Sequence, residues 1–453
     1  MRTGALAGLL TLALSTALSA AVTLSNVAGE QMSYDPVLSS VSGGPSTHSI
    51  TLRVQGENGG LLASSAFTRW WGAQVNGLTG GETLNFSITN LGAGDIILPV
   101  WATSTDGVNF TPDARCPVSA TPNISQQFTL VVPAGVTALR VWKYFPYTIA
   151  DRDAFLASLP AVSPSGPVRF NGSIGNSVEG RPIPMIELSS GAGDAGKRRV
   201  WIHAGIHSAE TTSYFVVEGL VDFLLNSGTP EAANLLSGCI FNIVPMLNVD
   251  GNARGNYRAS APHPPVYPNG ADMESRYNDG GLGVAGFPEC QAVIDRIVSY
   301  NSVPPAPPTA APVEMILNLH TTHGFSRPMH FRHNPVYPPN GVIQAITDLE
   351  DLWLGAFAFR SPNFVNPIQT SGSNLIPRGY VESWAHDFYS NNPSYSGPDI
   401  MAITYEGVYQ QGIGGTTWNT TQDWRDNGHE MALAIGDHFG IAVPASLTRL
   451  DAY

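Results

Sequence analysis

Four residues have the types and spacing for metal-assisted hydrolysis: His207 and Glu210 in HSAE, His320 in LNLH and Glu406 in ITYE. Catalytic zinc is commonly held by two histidines and one glutamate, which leaves a position for water. His207 and Glu210, three apart at a strand-to-helix junction, lie on one side of the first helical turn, and a distant His320 completes the set. Water at such a cation is acidified toward neutrality, and a nearby carboxylate takes its proton and passes it to the leaving nitrogen. Glu406 is the candidate for that base. An H-x-x-E pair arises often by chance, so the placement of all four residues has to carry the argument.

From about residue 168 onward, apolar strand-like runs alternate with helical ones, which predicts an α/β fold with a mixed, mostly parallel sheet flanked by helices. Candidate strands are 199–203, 240–247, 314–320 and 400–406, and candidate helices 210–225, 288–300, 340–357 and 423–439. His207 and Glu210 follow the first strand, Asn248 and Asp250 the second, while His320 closes the third and Glu406 the fourth. Ligands of open α/β sheets bind beyond the carboxyl ends of the strands, so these side chains should converge. Upstream, residues 22–145 show short alternating runs broken by Gly, Asn, Asp and Pro, the pattern of an all-β sandwich. The expected division is a signal peptide at 1–20, a β-sandwich at 21–150 and a catalytic domain at 151–453.

With 453 residues and a formal net charge of −13, the chain suits two or three domains and lacks the basic surface that nucleic acid or an anionic membrane demands. Only Lys143 and Lys197 are lysines, so carboxylate recognition falls to arginine. Arg2, an apolar run and a small-residue close before Ala21 read as an export signal, which predicts a secreted or periplasmic protein with no membrane span in its mature form. Cys116, Cys239 and Cys290 have no metal-ligand spacing and allow at most one disulfide.

The segments GIHSAE, IVPMLNVDGNARGNYR (243–258), FPECQAV, LNLHTTHG and ITYEG resemble, in that order, those of zinc metallocarboxypeptidases, over roughly residues 170–440. The 243–258 stretch is similar to the cytosolic carboxypeptidase branch of that family. So are RWWGAQVNGLTGGETLNFSITNL (69–91) and YFPYTIADRDAFLASL (144–159), which look like the β-sandwich such enzymes carry before the catalytic domain. The resemblance implies one zinc ion on His207, Glu210 and His320, Arg258 stabilising an oxyanion, and Glu406 as general base. It implies further that Asp272 orients His207, and that the substrate is the C-terminus of a peptide or protein. The family's Asn-Arg pair for the terminal carboxylate falls in GADMESRY (270–277). With a one-residue insertion Ser275 and Arg276 replace that pair, and without it Glu274 and Ser275 do, losing the anion grip. Tyr380 is the candidate for the tyrosine that closes over substrate, in competition with Tyr389 and Tyr395. His203, His330 and His333 read as core residues, His323 as close enough to His320 to meet substrate, and Trp70 and Trp71 as strand packing. A zinc amidase acting on cell-wall peptides or N-acyl amino acids, and a non-catalytic binding protein on the same scaffold, are the alternative readings.

Overall fold

The computed structural model describes residues 21–92, 97–116, 126–322, 327–333, 343–361, 379–409 and 418–441; the expected signal at 1–20 and His323 lie outside these. The alternating runs near the N-terminus form β1 (Thr23–Ser25), β2 (Ser40–Gly44), β3 (Thr47–Arg53), β4 (Gly72–Asn76), β5 (Thr83–Thr89), β6 (Val100–Ser104), β7 (Thr111–Arg115), β8 (Gln127–Val131) and β9 (Ala138–Trp142), with a single turn, α1 (Glu57–Gly60), after β3. They make two sheets, ordered β1-β4-β9-β6-β7 and β2-β3-β5-β8. Ile50, Leu52, Trp71, Val75, Phe86, Phe128 and Val141 share one core, an arrangement consistent with the expected sandwich.

Strand alternation sends neighbouring side chains to opposite faces, yet both Trp70 and Trp71 are buried. Trp71 stacks on Phe128 inside the sandwich core, at 6.0 Å. Trp70, Val100, Ala102 and Trp142 belong instead to a second core, which they share with Tyr214, Phe215, Tyr409 and Trp424 of the later chain. The five-stranded sheet is therefore covered on both faces.

After α2 (Ile149–Ser158), started by a reciprocal Thr148–Asp151 cap, come β10 (Val168–Asn176), β11 (Pro182–Leu188), β12 (Arg198–Ala204), α3 (Thr212–Asn226), α4 (Pro230–Gly238), β13 (Cys239–Val244), α5 (Val249–Arg254), α6 (Pro288–Asn301), β14 (Val313–Thr322), β15 (Met329–Phe331), α7 (Gln344–Arg360), α8 (Val381–Ala385), β16 (Met401–Val408) and α9 (Thr421–His438). The sheet order is β10-β11-β13-β12-β14-β16-β15. Its four central strands run parallel and the outer ones antiparallel. One face packs on α3, α7 and α9, the other on α6 and α8. Val200, Ile202, Leu317 and Ile403 are fully buried between these layers, each contributing about 1.5–3 kcal/mol. The strands β14 and β16 continue two residues past His320 and Glu406, so these residues lie inside the strand ends rather than closing them. The three cysteines are buried and unpaired. No helix among the described residues is long and apolar enough to cross a membrane.

Candidate metal centre

The chain turns off β12 at Gly205, whose φ is +70° and whose Cβ position lies 2.4 Å from the Tyr214 ring, so a side chain there is excluded. Tyr214 Oη donates to the Ser208 carbonyl at 2.9 Å and holds the loop that carries His207 and Glu210. Asn248 caps α5 by accepting from Gly251 N–H, and its Nδ2 donates to the carbonyls of Ile206 and Ala259, both at 3.1 Å. One side chain thus ties the His207 loop to the Arg258 loop. Asp250, read as a turn residue, binds Ser177 Oγ and Arg181 away from the centre.

Glu210 sits between the two histidines, with Oε1 2.9 Å from His207 Nδ1 and Oε2 2.8 Å from His320 Nδ1. The two Nδ1 atoms are 3.1 Å apart. All three residues are buried, and their donor atoms lie within 4.8 Å of one another. Tyr257 Oη and the Thr321 N–H donate to the two Glu210 oxygens at 2.8 and 3.0 Å. Burial alone would raise the Glu210 carboxyl, but His207 and His320 outweigh it and hold it well below the usual carboxylate range. Two imidazole nitrogens and a carboxylate converging without solvent are a donor set that a zinc ion satisfies.

The outward ring nitrogens also meet carboxylates. His207 Nε2 is 2.9 Å from Asp272 Oδ1, and Asp272 Oδ2 accepts from Arg258 Nε at 2.6 Å. His320 Nε2 is 3.2 Å from Glu274 Oε2, an ion-pair contact outside hydrogen-bond angles. Glu274 Oε1 accepts from Asn318 Nδ2 at 2.7 Å, and the same amide reaches Glu382 at 3.1 Å. Such partners orient a ligating histidine and raise its basicity. Glu274 is therefore placed behind His320, rather than in the anion site that the alignment without an insertion would give it.

Glu406 is the register partner of His320 across β14 and β16. Burial, then Glu210 beside it, push its carboxyl up to about 8, against the pull of His320, His207 and Arg258. Its Oε2 is buried without a hydrogen bond among the described residues. Tyr380 precedes α8, and burial followed by the Glu274 and Asp272 charges raises its hydroxyl. Tyr389 and Tyr395 are instead hydrogen-bonded to Ser302 and Asn301 at the C-terminal end of α6. Arg276 is not brought to the centre: it lies 3.6 Å from Asp279 and over the Tyr267 ring at 5.1 Å. Ser275 lines a cleft of about 430 Å³ with Asn278, Asp279, Leu282, Gly379 and Asp387. His203 and His330 are buried in the core, where desolvation lowers them to about 4 and about 3, and His333 pairs with Glu350 at 2.7 Å.

The donor set of His207, Glu210 and His320 suits a hydrolytic zinc site. Residues 169–319 match the family model described as zinc carboxypeptidase, so the chain carries a zinc carboxypeptidase domain, as its motifs anticipated. Mouse cytosolic carboxypeptidase 6 is 34% identical over 119 residues, which are 26% of this chain and 22% of that protein. Human cytosolic carboxypeptidase-like protein 5 is 42% identical over 67 residues, 15% of this chain and 8% of that one. The match thus spans less than a quarter of the length of these curated relatives. Among solved structures, a metallo-carboxypeptidase from Burkholderia cenocepacia superposes with a TM-score of 0.67 at 21% identity, covering 92% of this chain and 99% of that one. One from Pseudomonas aeruginosa gives 0.65 at 16% identity, covering 91% and 98%. These establish the fold.

The secreted or periplasmic location expected from the N-terminus is overturned by the curated relatives, which are named cytosolic carboxypeptidases. An apolar run ending in small residues is a compositional signal, and here it misled.

Proposed function

We propose that the protein is a zinc-dependent metallocarboxypeptidase that hydrolyses the C-terminal peptide bond of peptides or proteins, with residues 151–453 as its catalytic domain and 21–150 as a β-sandwich unit. The observation that carries this reading is the buried convergence of His207, Glu210 and His320, with Glu406 in register beside them. A single zinc ion held by these three residues would supply the Lewis acidity that polarises the scissile carbonyl and acidifies water. Glu406, in register beside His320, takes a proton from the attacking water and returns it to the leaving nitrogen. Arg258 commits Nε to Asp272, which aims the rest of its guanidinium at the oxyanion that develops on the substrate. Tyr380 closes over the substrate, while Ser275 lines the cleft that receives its end and Arg276 pairs with Asp279 of that cleft.

A second reading is favoured by Arg276 being turned onto Asp279 and Tyr267, with Glu274 behind His320. The grip on a free terminal carboxylate is then weak, and the substrate is an amide without one, such as an N-acyl amino acid or a cell-wall peptide. Metal analysis of the purified chain, followed by mass spectrometry of a peptide library with free and amidated ends, tests both. About one equivalent of zinc and loss of single residues from free ends only supports the carboxypeptidase. Cleavage of amidated peptides equally well selects the second reading, and a chain that takes up no zinc sinks both.

A further inference from the structure

The N-terminal sheets reach the proposed centre at two points. Glu57, in the α1 turn, is buried 201 positions before the loop it grips. Its carboxylate accepts from the Arg258 N–H at 2.9 Å with one oxygen, and from the Ala259 N–H with the other. Its neighbour Asn58 fixes the turn: Nδ2 donates to the carbonyls of Ser260 and Asn269, both at 2.9 Å, and Oδ1 accepts from Asn256 Nδ2 at 2.9 Å. Asn58 adopts φ +53°, a left-handed conformation that asparagine tolerates. The receiving side is shaped for this contact, since a Cβ on Gly270 would lie 2.4 Å from Asn58 Nδ2.

The second point is Gln31, 2% exposed and also left-handed at φ +48°. Its Nε2 donates to the carbonyl of Ser208, between His207 and Glu210, at 3.0 Å, while its Oε1 accepts from Tyr147 N–H at 2.6 Å. The Trp70 indole holds the Gln31 carbonyl at 2.7 Å. Packing reinforces these bonds, because one face of the five-stranded sheet belongs to the same core as α3 and α9.

We infer that the N-terminal sheets are a structural part of the catalytic centre, with Glu57 a positioning residue that sets the backbone of Arg258 and Gln31 one that sets the loop between the first two metal ligands. A bidentate acceptor across two successive N–H groups fixes the peptide plane from which the Arg258 side chain departs. Asp272 holds that side chain from the other end, through Nε. Displacement of a catalytic group by about 1 Å can cost on the order of 10²-fold in rate, so removing one of two restraints should lower turnover and leave the metal in place. This inference rests on the proposed peptidase reading for its kinetic consequence and on geometry alone for the restraint.

The test compares the zinc-loaded full chain with Glu57→Gln and Asn58→Gly. Glu57→Gln keeps the shape but turns an NH₂ donor toward one of the two N–H groups; Asn58→Gly preserves the left-handed backbone and deletes the clasp, and serves if the buried Gln variant fails to fold. Zinc content, kcat and KM on the best library peptide, and amide hydrogen exchange at Arg258 and Ala259 are measured. Expected are unchanged zinc, KM within about twofold, kcat lower by roughly 10- to 100-fold and faster exchange at those two amides. Unaltered exchange, unaltered kcat, or a fall in kcat that merely tracks lost zinc overturns the inference. A wild-type chain that cleaves nothing overturns the peptidase reading instead, and exchange at the two amides still decides whether Glu57 holds the loop.

Discussion

His320 and Glu406 occupy paired positions on the adjacent parallel strands β14 and β16, so their side chains leave the same face of the sheet side by side. The proposed base is thus held by the same ladder that holds a proposed metal ligand. Neither residue depends on a loop, and their separation is set by the spacing of neighbouring strands, about 4.8 Å.

The first prediction concerns this pair. Replacing Glu406 with Gln preserves its volume and removes the proton acceptor, while His207, Glu210 and His320 are untouched. Zinc stoichiometry should stay at the wild-type level, and turnover should fall by roughly 10²-fold to 10⁴-fold. Normal turnover with zinc bound would assign the base elsewhere.

Glu274 yields the second. It faces His320 Nε2 as Asp272 faces His207 Nε2, so each histidine has a carboxylate behind it. Replacing an outer partner of a metal-bound histidine typically weakens affinity by about 10- to 100-fold. Glu274→Gln should therefore weaken zinc binding in a chelator competition by that range, and Glu274→Asp should recover part of it. Unchanged zinc affinity would show that Glu274 serves the substrate pocket after all.

How far the sequence displayed all this depends on the element. Strands β12, β13, β14 and β16 are buried on both faces, and their continuous apolar runs stood out; the outer strands β10 and β11 carry Gly, Pro and polar residues and did not. His320 and Glu406 were visible because they interrupt those runs near the strand ends, and His207 and Glu210 because they follow one. Glu274 was not, because spacing alone cannot tell which way a loop residue two positions after Asp272 will turn. Glu57 and Gln31 left no local signal at all, since their partners lie nearly two hundred positions away. The N-terminal apolar run offers composition alone, and composition does not specify a destination.

The third prediction tests the turn at Gly205. A methyl group there meets the Tyr214 ring, which cannot yield because it stacks on Tyr147 at 4.7 Å and its hydroxyl holds Ser208. Gly205→Ala adds strain at positive φ, worth about 1–3 kcal/mol before the collision is counted. Unfolding should occur at a lower urea midpoint, and zinc should bind more weakly because the His207 loop shifts. An unchanged midpoint and affinity would show that the loop finds another path.

The fourth prediction is a pH dependence set by a group outside the proposed metal ligands. Glu289 begins α6 fully buried, with one oxygen accepting from Val178 N–H at 3.1 Å and the other without a hydrogen bond among the described residues. Burial pushes its carboxyl up to about 7, and the Asp250 and Glu179 charges add to the rise while backbone N–H groups oppose it. The folded state then holds a proton that the unfolded chain releases near pH 4.5. Stability is accordingly unaffected by this group at lower pH, declines as pH rises from about 4.5 through 7, and levels off above. A shift of about two and a half units corresponds to roughly 3 kcal/mol. Glu289→Gln has no charge to bury, so its unfolding free energy should gain on the wild type between pH 4.5 and pH 8 by up to about that amount. Urea titrations of both proteins at the two pH values measure the gain, and a difference that does not change with pH would mean that Glu289 is already ionised without penalty in the fold.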